Sequence, residues 1–208
     1  MKRKLLILAF LFGLLGNTFA QKELNNQINV YCSYPFQLTQ HNSIDKWRSN
    51  GQYHLGFSKK VFKKFYLGLE SGIGIYDIIY KPEIRNDYKE NNPDMIFCDL
   101  KVVFNYLINI HEKYSVVPSF NIGVSRIFMQ KGLHSFASIA YRKCAAVGLD
   151  FKRKIFDKFD IGFHVRYQMV FHDFTIYTDY WHFPANITNN GDKYFKNIET
   201  GIYIGYKF

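Results

Sequence analysis

From Phe159 to His172 the chain alternates residue by residue. Phe159, Ile161, Phe163, Val165, Tyr167, Met169 and Phe171 take one parity, and Asp160, Gly162, His164, Arg166, Gln168, Val170 and His172 the other. Seven large apolar side chains on one side, opposed almost wholly by polar residues or glycine, need a period of two and exclude a helix. The same pattern recurs. It is clear over Phe65–Ile75, Ile96–Ile108, Tyr114–Val124 and Ile198–Phe208, and weaker over Ile28–Phe36, Tyr53–Val61 and Ile139–Phe151. That makes eight segments of about nine to fourteen residues, against about five or six for an ordinary strand. The greater length matches a tilted strand crossing a bilayer. An open sheet with an apolar face in lipid would leave unpaired edges, so the strands must close. The expectation is an all-β, eight-stranded antiparallel up-and-down transmembrane β-barrel, with the apolar parity outward.

The connections support this order. Phe62-Lys63-Lys64, Asn109–Lys113 and Lys154–Lys158 are short and lysine-rich, while residues 37–51, 78–95, 128–138 and 173–196 are longer. Short turns at one end and long loops at the other are expected of a membrane barrel. Aromatic residues gather where head-group girdles belong. Phe65, Tyr106, Tyr114, Phe151, Phe159 and Phe208 lie beside the turns, and Tyr34, Phe36, Tyr53, Tyr141 and Phe171 toward the loops. Pro118 falls on an apolar position inside the fifth segment, where proline marks an edge or a bulge. Lys59 and Lys143 break the apolar parity near strand ends, positions that permit snorkelling.

The amino terminus reads as an export signal over residues 1–20. Lys2, Arg3 and Lys4 precede an apolar run from Leu5 to Leu15, and Thr18 and Ala20 offer a small-residue cleavage site. The run is too short for a spanning helix. The barrel domain is then residues 21–208. Loss of the three leading cations lowers the formal charge from +10 to +7. A basic protein can suggest nucleic acid, but export and the scattering of its cations argue for solvated turns and anionic lipid instead. Cys32, Cys98 and Cys144, an odd number at irregular spacing, form neither a disulfide framework nor a metal motif.

The inward parity carries Glu70, Asp99, Lys101, Asp150, Asp160, His164, Arg166 and Glu199, with many glycines. Eight strands leave an interior that side chains can fill. These residues are therefore expected to form a satisfied polar core without an aqueous pore, glycine making room for long neighbours such as Arg166. His164 is expected to hydrogen-bond inside, with Asp160 and Glu199 as candidate partners. No phosphate loop, zinc spacing or nucleophile elbow is present, and no cofactor is implied. The last loop gathers Tyr177, Tyr180, Trp181 and Phe183, which are candidates for contact with a partner.

Ile204, Tyr206 and Phe208 end the chain on alternate apolar residues. This resembles the C-terminal signal by which outer-membrane barrels are recognised for assembly. The mature chain as a whole resembles the small outer-membrane β-barrel proteins of the OmpA/OmpX-like kind, through the signal segment, the eight alternating stretches, the turn asymmetry and Phe208. The resemblance implies an outer-membrane location, assembly by the barrel machinery, contact with lipopolysaccharide and other membrane lipid, and a monomer. It implies no single activity. A surface barrel for binding or adhesion is the leading expectation, an enzyme acting on outer-leaflet lipid is the alternative, and a small-solute channel is a lesser one. His41-Asn42-Ser43 also resembles the His-x-Ser element of lipid A deacylases, with no acidic partner assignable. Intact-mass measurement of the exported protein should give a chain starting at Gln21. A mass that retains residues 1–20 would contradict the signal reading.

Overall fold

The structure, a computed structural model, describes residues 25–39, 44–80, 94–131, 135–171 and 194–208. Eight long strands make the wall. They are β1 (Asn26–Gln37), β2 (Ile44–Phe62), β3 (Phe65–Tyr80), β4 (Asp94–Tyr106), β5 (Tyr114–Lys131), β6 (Ser135–Phe156), β7 (Phe159–Val170) and β8 (Phe195–Lys207). Each strand pairs antiparallel with its neighbours in sequence. β1 also pairs with β8, from Gln27 opposite Lys207 to Gln37 opposite Asn197, and this ladder closes the sheet. All eight expected segments coincide with barrel strands. Among the described residues no helix is long and apolar enough to cross a membrane.

The alternation sets the two surfaces. Val30, Leu55, Phe163 and Ile202 are more than half exposed on the outside, while Asn29, His54, His164 and Arg166 are buried within. A water-soluble sheet of this size would bury its apolar face. Here the polarity is inverted, as a hydrocarbon solvent requires. Lys143 is exposed on the outer parity, as its neighbours indicate.

Several expected boundaries need correction. β2 starts at Ile44 rather than Tyr53, and β5 and β6 reach Lys131 and Ser135, leaving a far shorter connection than residues 128–138. β3 extends to Tyr80, β4 begins at Asp94 and β8 at Phe195, while β7 stops at Val170. The cause in β2 is a bulge. Ser49 pairs with Tyr76 and Gln52 with Gly74, so Asn50 and Gly51 together face one residue. Gly51 adopts φ +110°, a backbone region that disfavours side chains, and the extra residue reverses the parity. In β6 a second shift occurs where Ile127 pairs with Ala140 and Phe128 with Ser138, leaving Ile139 out. Alternation resets at both places, which is why the sequence pattern faded there.

Pro118 interrupts rather than bends the ladder. Asn105 pairs with Ser119, and the two-residue piece Ile108–Asn109 resumes pairing at Val116 in the same register. Tyr106 and Leu107 thus stand opposite Pro118 and Val117. Proline has no N–H to give, and Leu107 instead donates its own N–H to the Lys64 carbonyl at 2.8 Å.

Inward glycines admit large side chains. Gly148 pairs with Arg166 on β7, and a Cβ at that position would lie 2.6 Å from Arg166 Cγ and 2.9 Å from Ser119 Oγ. A Gly148→Val substitution should therefore destabilise the barrel by about 1–3 kcal/mol. Urea unfolding followed by gel mobility measures it, and an unchanged midpoint would refute this packing.

Candidate functional site

The lumen is the most chemically elaborate region of the described residues. β3 and β7 lie on opposite walls, and Arg166 Nη1 on β7 donates to Glu70 Oε1 on β3 at 2.7 Å. In the β7–β8 ladder Arg166 stands beside Glu199, yet the guanidinium crosses the interior instead. It also lies 4.4 Å from the centre of the Tyr31 ring, a cation–π geometry. His54, from β2, stands between two carboxylates, with Nδ1 3.4 Å from Glu70 and Nε2 3.3 Å from Glu199.

Two further clusters flank this centre. Toward the loops, Lys101 Nζ reaches Asp99 at 2.9 Å and donates to Gln168 at 3.0 Å, while Gln168 Nε2 donates to Asp99 at 2.9 Å. Toward the turns, Tyr31 donates its hydroxyl proton to Asp150 at 3.3 Å, with Lys152 4.0 Å from the same carboxylate. Lys207 meets Asp160 at 2.7 Å. The five carboxylates Glu70, Asp99, Asp150, Asp160 and Glu199 thus face four cations, Lys101, Lys152, Arg166 and Lys207, with His54 between two of the acids. Buried charges persist where they are paired and hydrogen-bonded, and removing one partner strands the other.

Glu70, Asp99, Lys101, Asp150, Asp160, His164, Arg166 and Glu199 are all buried, and the expected contacts of His164 need correction. His164 is fully buried, but its two ring nitrogens have no hydrogen-bond partner among the described residues. It stacks edge-on to Tyr31, with ring centres 5.2 Å apart, and meets neither Asp160 nor Glu199 through a hydrogen bond. Its ladder neighbours are Asp150 and Gly201. The histidine that meets Glu199 is His54, which sequence reasoning missed. The signal was available, since His54 shares a parity with Gln52, Gly56 and Ser58, but β2 is too short of contrast to stand out.

The upper lumen also departs from expectation. Near the loops the inward parity is apolar rather than charged. Tyr76, Phe97 and Phe195 form a ring cluster, with Phe97 and Phe195 centres 4.4 Å apart and Tyr76 edge-on to both. Met95, Ile127 and Val170 are buried in the same region. Asn197 donates to the Tyr76 hydroxyl at 2.8 Å, joining this cluster to the polar network below. The interior is therefore polar at its centre and apolar toward the loops.

Other expected residues fall elsewhere. His41, Ser43, Tyr177, Tyr180, Trp181 and Phe183 lie outside the described residues, as does the segment 1–20. Ile204 and Phe208 point outward at the end of β8, with Tyr206 half-buried between them on the same parity. Cys32 is exposed, Cys98 half-buried and Cys144 buried, and all three are free. Among the described residues no set of three His, Cys, Asp or Glu converges to hold a metal ion. Outside the wall, at the exposed β6–β7 turn, Lys154 meets Asp157 at 2.8 Å. The hydrogen bond, then the charge, lowers the Asp157 carboxyl below its usual range.

A closed eight-stranded wall with an apolar outside and a polar inside defines a transmembrane β-barrel. Its fold is that of the small outer-membrane barrels of bacteria. It is similar to the Neisserial surface protein A, NspA, with a TM-score of 0.57 and 8% identity over 88% of this chain and 97% of that one. It is also similar to Ail, the attachment invasion locus protein of Yersinia pestis, solved with the heparin analogue sucrose octasulfate (TM-score 0.51, 11% identity, 88% and 98% covered). OprG of Pseudomonas aeruginosa aligns with a TM-score of 0.50 and 13% identity over 88% of this chain and 96% of its own. No protein-family model and no curated protein matches the sequence.

Glu70→Ala should cost about 3–5 kcal/mol because it strands the Arg166 guanidinium in the interior. Adding Arg166→Met should recover part of that loss. Urea unfolding of both single variants and the double variant in micelles would show strictly additive losses if the pair were not coupled.

Proposed function

We propose that the chain is an integral, monomeric outer-membrane protein without a catalytic site, whose barrel is a rigid support for loops that bind a partner or surface. The observation that carries this reading is the lumen. Arg166 meets Glu70 across the interior, Lys101 meets Asp99 along one strand, and the Tyr76, Phe97 and Phe195 cluster lies above them. Charges set against one another in this way suit a stiff support. Function then belongs to the long connections, as it often does where loops are held on a stiff scaffold. Tyr177, Tyr180, Trp181 and Phe183 in the segment 172–193 are the proposed contact residues. Ail, whose structure holds a heparin analogue, illustrates that the same fold is compatible with a binding role.

Fractionation should place the native protein in the outer membrane, with a gel mobility that changes on heating. Recovery in the soluble fraction would overturn the reading. Planar-bilayer recording should show no conductance above background, and stepwise currents would overturn the closed lumen. A strain lacking the protein should keep its lipid A acylation pattern. A pattern that changed, and was restored by the wild type but not by His41→Ala or Ser43→Ala, would replace the binding role with a lipid-acting enzyme.

A further inference from the structure

The turn end of the barrel carries an arrangement that neither the wall nor the lumen explains. Three connections, at Phe62–Phe65, Ile108–Tyr114 and Ile155–Phe159, each carry a large exposed apolar side chain, Phe62 and Phe156 as the last residues of β2 and β6 and Ile110 within the longer turn. Phe62 is 68% exposed, Ile110 69% and Phe156 68%, the highest values of any large apolar residue described. A strand end or turn that stands in water gains nothing by exposing such residues.

Cations surround these tips. Exposed Lys63, Lys64, Lys113, Arg153, Lys154 and Lys158 outnumber exposed Glu112 and Asp157 by six to two. Lys154 is committed to Asp157. Lys63 adopts φ +35°, the one non-glycine residue described in the left-handed region. Glycine or asparagine would occupy that position at lower cost. A lysine held there points to a use for its side chain, which lies 5.5 Å from the centre of the Phe62 ring.

The tips are also continuous with the outer apolar surface. Tyr106, Tyr114, Phe159 and Phe208 stand next to them as an exposed aromatic girdle. Apolar tips set in a basic ring beside a girdle match the boundary between hydrocarbon and anionic head groups. We infer that the turn end is an interaction surface for acidic phospholipid, with Phe62, Ile110 and Phe156 dipping into the leaflet and the lysines contacting its phosphates. The turns are then part of the membrane-embedded body and do not project beyond it. The inference rests on the membrane-barrel reading above.

The test uses the full mature chain in nanodiscs of equimolar phosphatidylcholine and phosphatidylglycerol, with retained lipids counted by native mass spectrometry. The wild type should retain phosphatidylglycerol over phosphatidylcholine by about five-fold or more. The variant Lys63→Gln/Lys64→Gln/Lys113→Gln/Lys158→Gln should lose that preference while keeping its heat-dependent mobility. Phe62→Ser/Phe156→Ser should retain less of both lipids at an unchanged ratio. Equal retention of the two lipids by the wild type, or a preference untouched by the lysine variant, would overturn the inference. So would displacement of the lipid by excess inorganic phosphate, which would mark a site for free anions, or unchanged total retention in the serine variant. A chain that failed to insert into either lipid would overturn the barrel reading itself, whereas an inserted chain without preference overturns this inference alone.

Discussion

In hydrocarbon, a peptide N–H or C=O that lacks a partner costs several kcal/mol, because no water is at hand to replace the lost bond. The ladder between β1 and β8 meets this demand for the first and last strands together, from Gln27 opposite Lys207 to Gln37 opposite Asn197. Without it, two long edges would face lipid. Closure in turn fixes what the side chains can do. Once the wall is a cylinder, one parity must face the solvent hydrocarbon and the other a narrow interior, and the composition of each face follows.

The interior then poses a second problem, which is how to place ionised groups away from bulk water. The chain answers with mutual neutralisation. Arg166, Lys101, Lys152 and Lys207 are each set against a carboxylate, and His54 stands between the partner of Arg166, Glu70, and a fifth, Glu199. Small residues in the wall make the space this requires, most plainly at Gly148 beside Arg166. The aromatic and aliphatic residues above this network replace charge with packing as the wall approaches the loops.

Much of this was legible in the sequence because a period of two is robust wherever the two faces have different solvents. β7 shows that clearly, with Phe163 outside and His164 inside as the alternation demands. Legibility failed where a single residue is inserted. The bulge at Asn50-Gly51 reverses the parity of β2, and the one at Ile139 does so in β6, so the strands seemed to end where they only change phase. Pairing across the lumen was illegible for a different reason. Sequence gives the face of a residue but not its reach, so Arg166 could not be assigned to Glu70 on the opposite wall in place of Glu199 beside it. His164 was the more conspicuous histidine for the same reason, although His54 is the one beside Glu70 and Glu199.

The link from Arg166 to Glu70 joins strands four places apart in a ring of eight, so it runs along a diameter. A thin-walled tube under lateral squeeze fails first by going oval. A tie across its width resists that mode in the way a spoke keeps a rim round. The lipid presses on the wall from all sides and never evenly, so the cross-section of this tube is held by chemistry at its centre as much as by the hoop of backbone bonds around it.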